Sequence, residues 1–440
     1  MLRLGSLAGR VGASLAGNTM ANLFRDPDSR ESNRTLVMMK NAMRVKESLG
    51  QLKGVPMKIG QMVSLHERFF PKEVVEVLKT LQQKAPAVPF EDIRKMIRYE
   101  LGSRLDAIEM IDENPMASAS IGQVHRAVLK DGREIALKVQ YPGIDEVIRS
   151  DIKNLKGILT VVFSMFTRMD MDRVWQELND RLLEELDYER EAANMKAMAE
   201  QIKDDEAIII PRVIDELSTR HVLAMELVLG ISPDQVTGSA YPQELRNTWG
   251  MTIVRLTLRG LLFHRFMHAD PNIANFAFRK DGKVVVYDFG CMKEIPGDLR
   301  DGYLRLTDAM LDHAYPDIPE ILRSMGIHHA DGTSISWKLV TDFANLIQEM
   351  IRPGKCYVFG EDERFYARLM EIWHRHVGES MVIVFPGDII FIDRTLNGHL
   401  GNLGRLNACA DWRMIVIDAM REGFADSPGL TMRRPMLEEG

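Results

Sequence analysis

His268-Ala-Asp270-Pro-Asn-Ile-Ala-Asn275, followed downstream by Asp288-Phe289-Gly290, is the most informative stretch of this 440-residue chain. An Asn amide oxygen and an Asp carboxylate are hard oxygen donors of the kind Mg²⁺ takes. Between Asn275 and Asp288 lie two apolar runs, Phe276–Arg279 and Val284–Tyr287, around Asp281-Gly282. Asp-Gly between such runs predicts a tight hairpin. A hairpin this short folds back far enough to bring Asn275 and Asp288 to one ion.

The spacing is also that of a kinase catalytic loop, H-R-D-L-x-x-x-N, in which Asn follows Asp by five residues and D-F-G comes next. On this pattern Asp270 stands where an acceptor hydroxyl loses its proton. Asp-Phe-Gly by itself is weak, since any strand-end turn can carry it; its order and spacing after the loop give it weight. His264 and His268 are four apart, a spacing that can serve zinc, but no third ligand is in register. His268 is therefore read as a brace for the loop.

Working upstream, Ile135-Ala-Leu-Lys138-Val resembles the strand whose lysine contacts the α- and β-phosphates of ATP. It follows Ile121–Leu129 and an Asp131-Gly132 turn, a predicted hairpin with Glu134–Gln140. Ahead of that hairpin lies Ala117-Ser118-Ala119-Ser120-Ile-Gly122, where a kinase carries its glycine-rich phosphate loop. Only Gly122 is glycine. Each added Cβ limits the close approach of backbone N–H groups to phosphate, so this loop is expected to grip nucleotide differently. An acid from Glu185-Leu-Asp187-Tyr-Glu-Arg-Glu191, within a helical stretch 172–201, should pair with Lys138. Most acids of such a run face solvent; Glu191 is the chosen partner. Ala207–Ile214 and His221–Leu229 read as a second antiparallel pair, ending where backbone groups near Glu226 and Val228 would meet an adenine edge.

Length predicts two to three structural units. The fold class expected is α+β: a small antiparallel-sheet lobe (101–228) and a larger helical lobe (229–440), preceded by an amphipathic segment (1–24) and a helical extension (25–100). With 45% apolar and 27% charged residues the chain reads as globular. A net charge of −7 supplies no basic field for nucleic acid, so that partner class is set aside. Cys291, Cys356 and Cys409 lie far apart without CxxC spacing, which predicts free thiols in a reducing compartment. No run reaches the roughly 18–20 apolar residues of a membrane span. Leu4, Leu7, Ala8, Val11 and Leu15 recur at helical spacing. That stripe fits an interfacial helix on a membrane, a helix docked on its own protein, or a frayed terminus.

Several segments coincide in order: Lys58-Ile-Gly-Gln61, Ser120-Ile-Gly-Gln-Val-His125, Leu137-Lys138-Val-Gln-Tyr-Pro-Gly143, Glu185-Leu-Asp187-Tyr and His268-Ala-Asp-Pro271. Together they resemble the UbiB/AarF/ADCK family of atypical kinases over about residues 40–300, with Asp393-Arg-Thr-Leu-Asn-Gly398 a looser match. The resemblance implies a protein-kinase-like two-lobed fold with a helical extension over the active site. Lys58 and Gln61, otherwise an ordinary helix start, would point toward Glu185 and Asp187 and occlude a protein substrate. It further implies ATP or ADP and Mg²⁺ as ligands, and ATP hydrolysis rather than protein phosphorylation. The implied setting is a membrane surface, in support of ubiquinone or other prenylquinone synthesis, on the cytoplasmic or mitochondrial-matrix side. Membrane lipid or a quinone precursor is the implied partner, with quinone-biosynthesis enzymes as further candidates; the oligomeric state is left open, a homodimer being one option. A small-molecule phosphotransferase and a nucleotide-gated lipid-binding scaffold stay open as alternatives. Two departures stand out: Ser118 where the family usually has Ala, and Asn272-Ile-Ala-Asn275 where it has His-Pro-Gly-Asn.

Overall fold

The computed structural model describes residues 88–119, 121–149, 179, 183–236, 240–360, 364–380 and 382–433. Lys58, Gln61, Ser120 and the amphipathic segment 1–24 lie outside the described residues. The chain divides into two compact units, the first taking in residues up to 193 and 212–227, the second 194–211 and 228–440.

The first unit is built on an antiparallel sheet in the order β1 (Ile108–Ile111), β3 (Gly122–Leu129), β4 (Glu134–Gln140), β6 (Val222–Glu226), with β2 (Ala117–Ser118) paired to β3. The hairpin read at Asp131-Gly132 is present, with Gly132 at φ +85° and the register running from Gly122↔Gln140 to Val128↔Glu134. Helix α1 (Phe90–Leu101) packs on β4, burying Ile93, Ile97 and Leu101 at i, i+4, i+8 spacing. Gly122 has a steric reason: a Cβ there would run into the Val139 carbonyl. Beneath the β2–β3 turn runs a buried polar chain. Gln123 Nε2 donates to Val88 O (3.1 Å), and His125 bonds Gln123 Oε1 (3.2 Å) and Asp112 O (2.8 Å). Burial pushes the His125 imidazole below its ordinary pKa, and a neutral ring donates to only one of these two oxygens at a time.

Two expectations for this region are corrected. The helix expected over 172–201 breaks before Tyr188. Residues 185–187 form a turn, and α2 (Tyr188–Gln201) begins with Asp187 Oδ1 accepting from Arg190 N (3.1 Å), an N-cap arrangement. The antiparallel pair read from 207–214 and 221–229 is split. Only Val213 bridges to Met225, whereas β5 (Ile208–Ile209) runs parallel to β9 (Val284–Val286) in the second unit.

The second unit is mainly helical: α3 (Gln243–Leu262), α4 (Gly297–Leu311), α5 (Ile318–Ser324), α6 (Trp337–Met350), α7 (Arg364–Arg375), α8 (Val377–Ser380), α9 (Gly387–Leu406) and α10 (Trp412–Ala425). α3 is its axis, packed by α9 and α10 and burying Trp249, Ile253, Leu256 and Leu261. Two small ladders sit on it: β7 (Phe266–His268) with β10 (Met292–Glu294), and β8 (Phe276–Phe278) with β9. Cys356 and Cys409 are bonded as a disulfide with Cα atoms 5.6 Å apart, flanking β12 (Tyr357–Val358) and opening β14 (Cys409–Ala410). This corrects the expectation of three free thiols. The partners are 53 residues apart, and only tertiary pairing brings them together. Cys291 takes no part in that disulfide. Among those residues, no helix is long and apolar enough to cross a membrane.

Candidate active site

In the first unit, Lys138 and Glu191 meet. Lys138 stands on β4, a strand buried over six of its seven residues, and its Nζ donates to both Glu191 carboxylate oxygens at 2.6 and 2.8 Å. The side chains are 9% and 3% exposed, so the two charges meet away from bulk water. The Tyr188 ring lies 5.1 Å from the ammonium. Asp187, as the cap of α2, sets the helix start one turn ahead of Glu191 and accepts Glu191 N–H at its carbonyl (3.2 Å). Glu185 is half-buried in the turn before it.

The Ala/Ser-rich segment belongs to the same sheet. Ala117 pairs with Val124 and Ser118 with Gln123; both are exposed, and Ala119 N donates to Gly122 O (2.9 Å). At the end of β6 the expected adenine-facing backbone is partly engaged already. Glu226 N donates to Arg212 O (2.8 Å) and Leu227 N to Glu134 O (3.3 Å). In the second unit, Val228 O accepts from the Tyr287 hydroxyl (2.8 Å).

In the second unit the loop Ala269–Asn275 is framed by the two ladders. On its entry side His268 pairs with Met292, and Ala269 N donates to Cys291 O (2.9 Å). On its exit side Phe276 pairs with Val286, and Tyr287 N donates to Asn275 O (2.9 Å), which sets Asn275 beside the residue preceding Asp288. His268 closes the frame. Its Nε2 lies 2.6 Å from Asp288 O, and a carbonyl can only accept, so Nε2 carries the proton. The ring stands edge-on to Phe289, 88° between planes.

Within the loop, Asp270 Oδ1 accepts from Asn272 N (3.1 Å) and Asn272 Oδ1 from Ala274 N (3.2 Å). Asn272 thereby caps a single 3₁₀ turn, Ile273–Asn275. This accounts for the departure from His-Pro-Gly-Asn: the Asn272 side chain supplies the cap that holds Asn275 in place. Asp288 Oδ1 accepts from Gly290 N (3.0 Å), and Asn194 on α2 donates to Phe289 O (2.9 Å).

The donor set suits Mg²⁺. The Asn275 side chain is 8% exposed, and its Nδ2 has no hydrogen-bond partner among the described residues. An unmatched amide N–H calls for an acceptor such as ordered water, while the oxygen of the same amide is the atom that suits a cation. Together with the Asp288 carboxylate, the Asn275 amide oxygen is a donor type of the hard-cation kind.

Residues 80–322 match the model of the ABC1 atypical kinase-like domain, more than half of the chain. The chain belongs to the ABC1 atypical-kinase family. The UbiB/AarF/ADCK resemblance drawn from the motifs is borne out by this match, and the fold is α+β and protein-kinase-like. The chain is 36% identical over 314 residues to the rat mitochondrial atypical kinase COQ8B, covering 71% of this chain and 58% of the rat protein. To the yeast Saccharomyces cerevisiae mitochondrial atypical kinase COQ8 it is 31% identical over 309 residues, covering 70% and 61%. It therefore spans about three fifths of the length of these curated relatives. Among solved structures it is similar to Mycobacterium tuberculosis Rv3197, solved in complex with erythromycin. That likeness has a TM-score of 0.62 at 26% identity and covers 90% of this chain and 99% of that one.

Sequence reasoning missed several residues that support the Ala269–Asn275 loop and the Asp288-Phe289-Gly290 turn, directly or through a neighbour. Asn194 lay in a helix read only for its acids. His399, Arg394, Thr395 and Asn402 lie on α9, more than a hundred residues downstream. The stretch Asp393–Gly398 had been noticed, but nothing in its local spacing pointed to Ala269 or Pro271.

Proposed function

We propose that this ABC1 protein binds and hydrolyses Mg²⁺-ATP, with water or a small molecule as phosphoryl acceptor, in support of prenylquinone synthesis at a membrane surface. The observation that carries the reading is the frame around Ala269–Asn275. The β8–β9 hairpin sets Asn275 beside the neighbour of Asp288, while His268 grips the Asp288 carbonyl.

Asn275 and Asp288 are the residues that would hold Mg²⁺. The bound ion would neutralise charge on the β- and γ-phosphates. Lys138 orients the phosphates, and Glu191 fixes the direction of its ammonium through two charge-assisted bonds. Asp270 positions the attacking water or hydroxyl, its carboxylate steadied by the Asn272 amide. Gly122 and the Ala117–Ala119 backbone shape the phosphate-facing loop. Lys58 and Gln61, with Glu185 and Asp187, exclude a protein substrate, which favours water or a small acceptor. The quinone-lipid role, the peripheral membrane setting and the cytoplasmic option draw on the family resemblance, and the mitochondrial-matrix option also on the mitochondrial COQ8 relatives.

The test is ATP turnover and thermal stabilisation by ATP and ADP, with and without Mg²⁺, in the whole chain and in Asp288→Asn. Turnover is expected to fall by about 10²–10³-fold in the variant, with its melting temperature without nucleotide unchanged. Wild-type rates in Asp288→Asn would sink the reading. Labelled γ-phosphate appearing on a phenol or alcohol would move the assignment to a phosphotransferase.

A further inference from the structure

α9 donates to the loop that carries Asp270 from the far end of the chain. Arg394 Nη2 donates to Ala269 O (2.8 Å), and Thr395 Oγ1 lies 3.2 Å from the same oxygen and 3.0 Å from Phe391 O. Asn402 Nδ2 donates to Pro271 O (2.8 Å). Thr395 is fully buried and Asn402 is 5% exposed, so neither carbonyl is shared with bulk water. Positions 394, 395, 398 and 402 follow helical spacing and form one stripe. Gly398 sits at its middle, where a Cβ would collide with the Pro271 ring. The missing side chain lets the helix backbone approach the loop closely.

The two carbonyls so held belong to the residues immediately before and after Asp270. Pinning both neighbours fixes the direction of the Asp270 Cα–Cβ bond, while the carboxylate itself is steadied from within the loop by Asn272 N. Phe391 lies under the Arg394 guanidinium, 4.7 Å from its carbon, and limits where the donor can point. The same guanidinium reaches Cys291 Sγ (3.9 Å), so one side chain touches both the loop and the segment after Asp288-Phe-Gly. His399 packs its ring against Phe276 and lies 3.2 Å from Asn402 Nδ2, which backs the Asn402 contact from behind.

The geometry points to Arg394, Thr395 and Asn402 as positioning residues for Asp270, with α9 the element that sets the loop's register. For its effect on rate this rests on the proposed ATP turnover; for the loop itself it does not. Misplacing a reacting group by about 1 Å can cost about a hundredfold in rate without changing substrate affinity.

The experiment uses the full chain with Thr395→Val/Asn402→Leu together, and separately Arg394→Met and Arg394→Lys, since the half-buried Arg394 variants survive if the double variant does not fold. Two quantities are read: amide hydrogen exchange at 272–275 with α3 as internal control, and kcat and KM for Mg²⁺-ATP. Exchange at 272–275 should rise at least tenfold with α3 unchanged. kcat should fall at least tenfold with KM within twofold, and Arg394→Lys should recover part of what Arg394→Met loses. Unchanged exchange in a folded variant overturns the proposal. So does exchange that rises equally in α3, or KM that rises while kcat holds. A wild-type chain that never turns over ATP would defeat the functional reading instead, and the exchange arm would still decide the role of α9.

Discussion

The segments Ala117–Ala119 and Ala269–Asn275 are held in opposite ways. The first is tied to its own hairpin neighbour, with Met116 N on Val124 O (2.8 Å) and Ala119 N on Gly122 O (2.9 Å), and its side chains stand at the surface. The second is gripped from outside: by β10 at its start, β9 at its end, and α9 on the carbonyls flanking Asp270. A segment held by adjacent strands inherits its position from local register. A segment held by remote donors inherits it from the packing of the whole unit. Substitutions should therefore be forgiving in the first and costly wherever they touch buried charge or remote donors.

The sharpest contrast lies a strand away from the forgiving segment. Lys138→Met removes from the Glu191 carboxylate, 3% exposed, the ammonium that contacts both its oxygens. Chemical denaturation should show a loss of about 3–5 kcal/mol, largely regained in Lys138→Met/Glu191→Leu. If the single variant is as stable as wild type, the pair is not the buried unit described here.

Next comes acid sensitivity on the remotely held side. Burial, reinforced by His268 and opposed by Asp270, pushes the His399 pKa down to about 3. The folded chain thus keeps His399 neutral, whereas the unfolded chain takes up a proton below about 6.5. Stability from this residue is complete above pH 6.5 and is lost as pH falls toward 3, by up to about 1.4 kcal/mol per pH unit. In His399→Leu, urea midpoints measured from pH 7 to pH 4 should decline less steeply than in wild type. An identical decline would mean His399 is not a buried neutral ring.

The smallest effect belongs to Ser118→Gly. The residue is exposed, so unfolding free energy should change by no more than about 0.5 kcal/mol. Calorimetric affinity for ATP and ADP should shift a few-fold, because removing a Cβ frees the backbone for phosphate. A large stability loss would show that this segment is not held locally after all.

Much of the first unit was legible because its cues are local. Asp131-Gly132 between two apolar runs sets the β3–β4 register, and that register places Lys138 facing inward. Glu191 meets Lys138 even though α2 starts only at Tyr188, since Asp187 caps a turn where the sequence reads as continuous helix. The hairpin from Phe276 to Val286 was equally local. Less legible were strand partners chosen by packing. Ile208 and Ile209 carry the same β-branched signal whichever sheet they join, and they joined β9 in parallel.

By itself, then, the amino-acid order determined the two hairpins and the family, because each rests on residue types at short separations. Tertiary structure alone decided the Cys356–Cys409 bond and the hold of Arg394, Thr395 and Asn402 on Ala269 and Pro271. Those contacts join positions 53 to 131 residues apart. No periodicity spans such distances; the partners meet only when α3 gathers α9 and the small ladders around one buried core.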